Sequence, residues 1–255
     1  MASVLATAGA ALPQVAAAQA VVVRATGPSA AAYPVGRKLA AGATVKLEKD
    51  DAVTVLDQAG TRIMKGKGSF TIDSRVMRDR STMMLLSRSL NNPQTVRAGA
   101  VRGLPMGDSG EPAAPTVWLA DIDRGGKVCV PQGSDLYLWR TNSDARRFTW
   151  FSEADGGGMV RLQWPRRTAG IAWPAAVVPP ISGRSYRSTD DAVPGTEPGK
   201  GVEFEVVTLA PDSVPEDPDA LASLLIERGC LAQVDLLASN LERRAAATAI
   251  EGPAH

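Results

Sequence analysis

Histidine is nearly absent from this chain of 255 residues, because the only one is His255 at the end of the sequence. A Ser-His-Asp or Cys-His arrangement inside the fold is therefore excluded, as are a histidine-containing zinc site and an HExxH helix. No Walker A loop is present, and the glycine clusters in GKGSF and DGGGMV are typical of turns. We expect no catalytic residues, no metal and no cofactor, and we predict that the protein is not an enzyme.

Two chemistries that need only carboxylates stay open. A glycosidase requires two acids placed across a sugar, and such a pair leaves no signature in the sequence. The acidic loop 190–201, DDAVPGTEPGKG, has oxygens for calcium, but it lacks the regular aspartate spacing of a calcium loop. Both remain alternatives to a non-catalytic protein.

Charge is missing from the first twenty residues, which are rich in alanine and end in Ala18-Gln19-Ala20. This ending predicts a secretory signal peptide over 1–20 and a mature chain that begins at Val21, in preference to an alanine-rich disordered tail. The stretch is too short and too weakly apolar for a membrane span, so we expect no integral membrane protein. Because no basic segment precedes it, we expect the translation start upstream of Met1. The predicted location is periplasmic or secreted.

Cysteine is also scarce, with Cys129 and Cys230 as the only two. In an exported chain, two cysteines favour a disulfide over a pair of buried thiols. Cys129 lies on a predicted strand and Cys230 follows Gly229, a predicted helix cap. We therefore predict a Cys129–Cys230 bond that ties the C-terminal helices to the second β domain.

Proline and glycine concentrate in 103–115, GLPMGDSGEPAAP, which predicts a linker between two domains over 21–102 and 116–210. In the first domain, apolar and polar residues alternate around 45–47 and 53–55, and Gly60 suits a hairpin loop. We predict five or six short strands in a small sandwich or barrel, and then a capping helix over 75–90 that ends at NNP.

The run from VVVRATGPSAAAYPVGRKLAAGATVKLEKDDAVTVLD to GTRIMKGKGSF resembles the FecR-type envelope domain. The matching positions, within about residues 21–73, are Gly36, Leu39, Gly42 and Gly60. Signalling members of that family carry an inner-membrane helix and a sigma-factor-binding segment, neither of which is recognisable here. The resemblance therefore implies a compact extracytoplasmic β domain used as a binding or structural module.

The second domain contains eight apolar segments at intervals of roughly ten residues, which favours a β-sandwich. By analogy, LYLWR, IAWP and SGRSY resemble Ig-like or fibronectin-like modules. Four of the five tryptophans lie here, and we predict that they pack between the sheets: Trp139, Trp150, Trp164 and Trp173. The alternative is a sugar-stacking platform, which requires at least two of them exposed on one face.

Residues 216–244 change to helical spacing and predict a helix pair, followed by a flexible tail over 245–255. Asp217 or Asp219 suits the N-cap, Pro218 the first turn and Gly229 the C-terminal cap. The apolar faces consist of Leu221, Leu224, Leu225, Ile226, Leu231, Val234, Leu237 and Leu241. We favour packing on the chain's own β domains, with a dimer or a partner helix as the alternative.

Charge is unevenly distributed along the chain. Residues 21–103 hold 14 Lys and Arg against 6 Asp and Glu, a net +8, whereas 104–255 hold 14 against 21, a net −7. We predict one basic face on the first domain, formed by Arg37, Lys38, Lys46, Lys49, Arg62, Lys65 and Lys67. The face would bind an acidic envelope protein or an anionic envelope polymer, but not nucleic acid. Alternatively, it docks on the protein's own acidic loop around Asp190 and Asp191.

These patterns predict a mainly β fold: an N-terminal small sandwich or barrel with a capping helix, a second sandwich and a C-terminal helix pair. The predicted function is that of an exported, non-catalytic binding or scaffolding protein of the bacterial envelope. Two alternatives remain, a carbohydrate-binding or carbohydrate-active module that uses the tryptophan-rich domain, and a component of an envelope signalling system.

Overall fold

The computed structural model describes residues 18–57, 60–72, 114, 116–191 and 201–251. Within them the fold is mainly β and ends in two helices, which confirms the predicted fold class. The predicted capping helix, residues 1–17 of the predicted signal peptide and all of the predicted linker except Ala114 lie outside the described residues. No helix in the described ranges is long and apolar enough to cross a membrane.

The N-terminal region, residues 18–72, contains six strands. They are β1 (Ala18–Thr26), β2 (Lys38–Ala40), β3 (Thr44–Leu47), β4 (Ala52–Asp57), β5 (Gly60–Lys65) and β6 (Gly68–Thr71). One sheet has the order β2-β1-β4-β5, and β3 pairs with β6 in a second, two-stranded sheet. Alternate residues of the strands, among them Val22, Val45 and Val55, are buried between the two sheets as the period of two requires.

Glycines allow the turns of this region. Gly36, Gly42 and Gly60 all have a positive φ, of 90°, 75° and 117°, where a side chain would be strained. Gly36 also lies against the C-terminal helices, since a Cβ placed on it would come within 2.7 Å of Ile226 Cγ2. The glycine spacing noted in the sequence thus has a local conformational reason.

The second region, residues 116–209, contains the eight predicted strands. They are β7 (Leu119–Asp121), β8 (Gly126–Pro131), β9 (Tyr137–Trp139), β10 (Arg147–Glu153), β11 (Met159–Trp164), β12 (Gly170–Ala172), β13 (Ser185–Asp190) and β14 (Val202–Leu209). A five-stranded sheet has the order β11-β10-β13-β14-β8, and a three-stranded sheet has the order β12-β9-β7. The pairs β8–β14 and β7–β9 are parallel, so the region is not a sandwich of antiparallel strands alone.

Aromatic side chains fill the space between these two sheets. Phe151, Trp173, Tyr186 and Phe204 all contact one another, with ring centroids 4.8 to 6.2 Å apart. Such ring pairs contribute stabilisation in addition to the hydrophobic energy of the area that they bury.

Two helices follow, α1 (Pro218–Glu227) and α2 (Leu231–Glu251). Pro218 lies in the first turn of α1, and Gly229 ends the helix with a φ of 79°. Asp217 is the N-cap residue, but its side chain makes no capping hydrogen bond. α2 continues through residue 251, past the end of the predicted helix pair at 244, and residues 252–255 of the predicted tail lie outside the described residues.

The helix pair packs on its own chain, as we favoured. Its buried leucines share one core with Val21, Val23 and Leu56 of the N-terminal region. Val117, Trp118 and Leu209 of the second region belong to the same core. The helices therefore bury one face of the N-terminal sheet and join it to the second region.

Candidate binding surfaces

The seven predicted basic residues do not share one face. Lys46 alternates on β3 with the buried Val45 and Leu47, so it projects from the outer side of the two-stranded sheet. Lys38 lies opposite Val21 in the strand register, and this places it on the side of the four-stranded sheet that carries the helices. Lys65 opposes Ala52 on β4. Ala52 lies on the same side of β4 as Leu56, which contacts the helices, so Lys65 lies on the helix-bearing side as well.

The other members of the set lie in turns or have partners. Lys49 and Lys67 are exposed on adjoining turns, which a hydrogen bond from Gly66 N to Asp51 O joins at 2.9 Å. The Arg62 guanidinium pairs with Asp57 at 2.7 Å. Arg37 lies with its guanidinium carbon 5.2 Å from the centre of the Tyr33 ring and donates to Ala32 O. A flat partner can therefore contact only part of the set at one time.

Asp190 and Asp191, the two described acidic residues of the loop, pair with arginines of the second region. Asp190 pairs with Arg147 at 2.6 Å, and Asp191 pairs with Arg161 at 2.5 Å, both within the five-stranded sheet. Asp191 also accepts a hydrogen bond from Trp150 Nε1 at 2.9 Å. Both carboxylates are thus neutralised by their own region.

The basic and acidic halves instead meet at α2. Arg24 of β1 donates from Nε to Asp235 Oδ1 at 2.5 Å, and Arg124 of the second region donates to Asp235 Oδ2 at 2.5 Å. Burial alone would raise the pKa of Asp235, but the hydrogen bond from Arg124 and the charge of Arg24 outweigh it and lower the pKa. One carboxylate therefore holds guanidinium groups from both β regions.

Two further α2 side chains complete this contact. Ser239 Oγ accepts from Arg24 at 2.7 Å, and Glu242 Oε2 lies 3.8 Å from the Arg24 guanidinium. Burial raises the pKa of Glu242, although Arg24 lowers it, and its Oε1 is buried without a hydrogen-bond partner. None of the predicted site residues belongs to this group. Its signal was the helical spacing of Asp235, Ser239 and Glu242, three polar residues four and three positions apart, which share one face of α2.

The predicted disulfide is confirmed. Cys129 on β8 and Cys230 before α2 are bonded and fully buried, with their Cα atoms 5.8 Å apart. Gln233 lies beside the bond: its Oε1 accepts from Cys129 N at 2.6 Å, and its Nε2 donates to Cys129 O and to Val117 O, both at 2.8 Å. A side-chain amide thus closes the edge of β8, a role that no sequence pattern indicated.

The tryptophans belong mainly to the core. Trp118, Trp139, Trp164 and Trp173 are at most 6% exposed. The predicted burial of Trp150 is wrong: its side chain is 39% exposed, because it alternates on β10 with the buried Thr149 and Phe151. A sugar-stacking platform requires at least two exposed tryptophans on one face, and this chain has five tryptophans, all of them described. The carbohydrate alternative therefore lacks the exposed pair of tryptophans that it requires.

A small cavity lies between the three-stranded sheet and α2. Its volume is about 70 Å³, and Asp121, Trp139, Gln233 and Asp235 are among its lining residues. Ligand pockets usually exceed about 300 Å³, so this space suits a few water molecules. Among the described residues no cluster of three or more His, Cys, Asp or Glu could hold a metal ion.

Comparison of the chain with protein-family models, curated proteins and solved structures found no match. The FecR-type resemblance therefore remains a prediction, and a functional proposal depends on the geometry described above.

Proposed function

We propose that this chain is an exported, non-catalytic binding or scaffolding protein of the bacterial envelope. The Cys129–Cys230 bond carries the proposal, because it is buried in the core that joins the helix pair to both β regions. Disulfides form and persist in oxidising compartments such as the periplasm and are rare in the cytosol.

The predicted signal peptide supports the same compartment, and the position of β1 shows which strand residues would remain after cleavage. β1 begins at Ala18, and the buried Ala20 pairs with Asp57. Cleavage after Ala20 would leave a strand that starts at Val21 and keeps the residues that contact the helix pair. We expect mass spectrometry of the mature chain to give Val21 as its first residue.

The binding role is supported by charged side chains that face solvent. Lys38, Lys46, Lys49 and Lys67 are exposed and have no carboxylate partner in the described part of the chain. Exposed charges of this kind attract anionic surfaces over about one Debye length, ~8 Å at physiological salt. A role in envelope signalling is compatible with this proposal if another chain supplies the membrane segment.

Thiol trapping in cells tests the compartment. Cells are quenched in acid, and the unfolded protein is treated with a maleimide polymer before or after reduction, so that each free thiol shifts the gel mobility. We expect no shift before reduction and two attached polymers after it. A matched variant without residues 1–17 stays in the cytosol and should show two free thiols at once.

Cross-linking in the intact envelope tests the binding role. The tagged chain is cross-linked, purified and compared with a tagged exported protein of similar size. A partner specific to this chain supports the proposal. Free thiols in the full-length chain, or recovery of the protein only from the cytosolic fraction, would overturn the assignment to the envelope.

A further inference from the structure

Three exposed arginines lie on two neighbouring loops of the second region. The Arg167 N–H donates to Ser143 O at 2.6 Å, and Arg166 Nε donates to Asp144 O at 2.9 Å. These bonds join the loop 141–146, which carries Arg146, to the turn 165–168. We call Arg146, Arg166 and Arg167 the arginine cluster.

The charge of the arginine cluster is largely uncompensated. None of its three guanidinium groups forms an ion pair within the described ranges, and Asp144 is the only acidic residue in the two loops. Seven other arginines form ion pairs with Asp or Glu: Arg24, Arg62, Arg124, Arg147, Arg161, Arg184 and Arg187. Each of those seven arginines is held by a carboxylate, whereas the described residues offer none to the guanidinium groups of the cluster, which can therefore bind an external anion.

A fourth, buried arginine supports the turn. Arg140 is 1% exposed and donates from Nε to Thr168 O and from a terminal nitrogen to Pro165 O, both at 2.9 Å. Its guanidinium carbon lies 5.4 Å from the centre of the Trp164 ring, and burial lowers its pKa. Because these two carbonyls flank Arg166 and Arg167, the buried cation holds the turn in one conformation.

Arg167 also has an unusual backbone. Its φ is 61°, in the left-handed region, where a side chain is strained and glycine is favoured. Of the described residues other than glycine, only Asp50 shares this property. Backbone strain of this kind concentrates at functional sites, which agrees with a role for the Arg167 side chain.

From this geometry we infer that the arginine cluster is a binding site for the oxyanions of an anionic polymer. Guanidinium groups match phosphate and carboxylate oxygens in a fork geometry. The cluster is exposed and individual exposed contacts are weak, so several linked anions bind far better than a single one. The inference rests on the proposed binding function and names the chemistry of its partner.

The test measures the affinity of the full mature chain by calorimetry for polyphosphate, polygalacturonate and neutral dextran. We expect binding to at least one of the two anionic polymers and none to dextran, and the ratio of the two affinities tells phosphate from carboxylate. The combined variant Arg146→Gln, Arg166→Gln and Arg167→Gly should bind about tenfold more weakly. Its melting temperature should be unchanged or higher, since glycine relieves the strain at 167.

Two control variants locate the effect. Lys46→Gln, Lys49→Gln and Lys67→Gln remove the same charge from the N-terminal region, whose exposed lysines also attract anions, and should weaken binding only about twofold, less than the arginine variant does. Arg140→Met keeps all three exposed charges but releases the turn, so its loss of affinity should be smaller than that of the arginine variant. Arg140 is thus tested as a positioning residue.

Three results would overturn the inference: no binding of either anionic polymer by the wild type, unchanged affinity of the arginine variant, or equal weakening by the arginine and lysine variants. None of them alters the thiol state of the protein in cells. A failure here is therefore distinct from a failure of the proposed envelope function.

Discussion

The two β regions complete their cores in different ways. The second region places Phe151, Trp173, Tyr186 and Phe204 between its own two sheets. The N-terminal region has no tryptophan, and the outer face of its larger sheet is covered by helices from the other end of the chain. The comparison shows that both regions have a core between their own sheets, but the core of the N-terminal region is smaller, and its larger sheet is also covered by the helix pair.

The contact of this sheet with the helix pair is concentrated in a few residues. Val21, Val23 and Leu56 bury their side chains against α1 and α2, and Arg24 is held by Asp235. The helices are in turn fixed to the second region by the disulfide and by Gln233. Changes at the helix pair should therefore weaken the N-terminal region more than the second one, and the predictions below test this difference.

Removing the disulfide should have the largest effect. The bond closes a loop with a sequence separation of 101 residues, which in the loop-entropy model corresponds to up to ~4.7 kcal/mol. We expect Cys129→Ala with Cys230→Ala to lower the free energy of unfolding by about 4 kcal/mol. Denaturant titration measures it, with the reduced wild type as the matched control. Equal stability of the oxidised wild type and the variant would contradict the prediction.

Leu56→Ala should have the second largest effect and lower the free energy of unfolding by about 2–5 kcal/mol, because Leu56 is fully buried against the helix pair. Hydrogen exchange read by mass spectrometry should show lost protection in α1 and α2 as well as in β4. The control is Val55→Ala, on the opposite face of the same strand, which should leave the helices protected. The same exchange pattern in both variants would remove the distinction between the two faces.

Gln233→Leu should lower the free energy of unfolding by about 1–3 kcal/mol. The reason is that it leaves the buried Cys129 N–H and the Cys129 and Val117 carbonyls without the hydrogen bonds of the Gln233 side chain. The disulfide should still form in this variant. Gln163→Leu on the exposed side of β11 serves as the control and should change stability by less than about 0.5 kcal/mol. Thermal unfolding that is equal in the two variants would show that Gln233 does not hold the edge of β8.

Glu242→Gln should have the smallest effect, and it should raise the free energy of unfolding, whereas the changes above lower it. The folded pKa of Glu242 is raised, so the folded state binds more protons than the unfolded state just above the unfolded pKa. Its ionisation therefore lowers stability as pH rises from about 4.5 through the folded pKa. We expect Glu242→Gln to raise stability at neutral pH by less than about 1 kcal/mol.

Asp235→Asn is the matched control for that experiment. The folded pKa of Asp235 is lowered, so its ionised form stabilises the fold above the unfolded pKa of about 3.9, and this contribution is lost as pH falls through the folded pKa. The variant should therefore be less stable than the wild type at neutral pH. Urea unfolding between about pH 2 and 8 separates the two cases, and parallel pH profiles of the two variants would show that the folded pKa values of the two carboxylates are not shifted in opposite directions.

Much of the secondary structure could be predicted because a buried face leaves its period in the sequence. The alternation around Val45 and Val53 indicated strands, and the spacing of Leu221, Leu225, Val234 and Leu237 indicated helices. The candidate binding face could not be predicted in the same way. Alternation tells which residues share a side of one strand, but it does not tell which sheet that strand joins. Lys46 and Lys65 therefore came to lie on different sheets.

The sequence by itself determined the strand and helix segments, the turn glycines and the pairing of the only two cysteines, since each depends on local spacing or on a lack of alternatives. Only the tertiary structure decided the parallel pairing of β8 with β14, the helix pair between both β regions, and the partners of Arg24, Gln233 and Arg140. These contacts join residues that are far apart in the chain, and their energies depend on burial and on distances that no local pattern records.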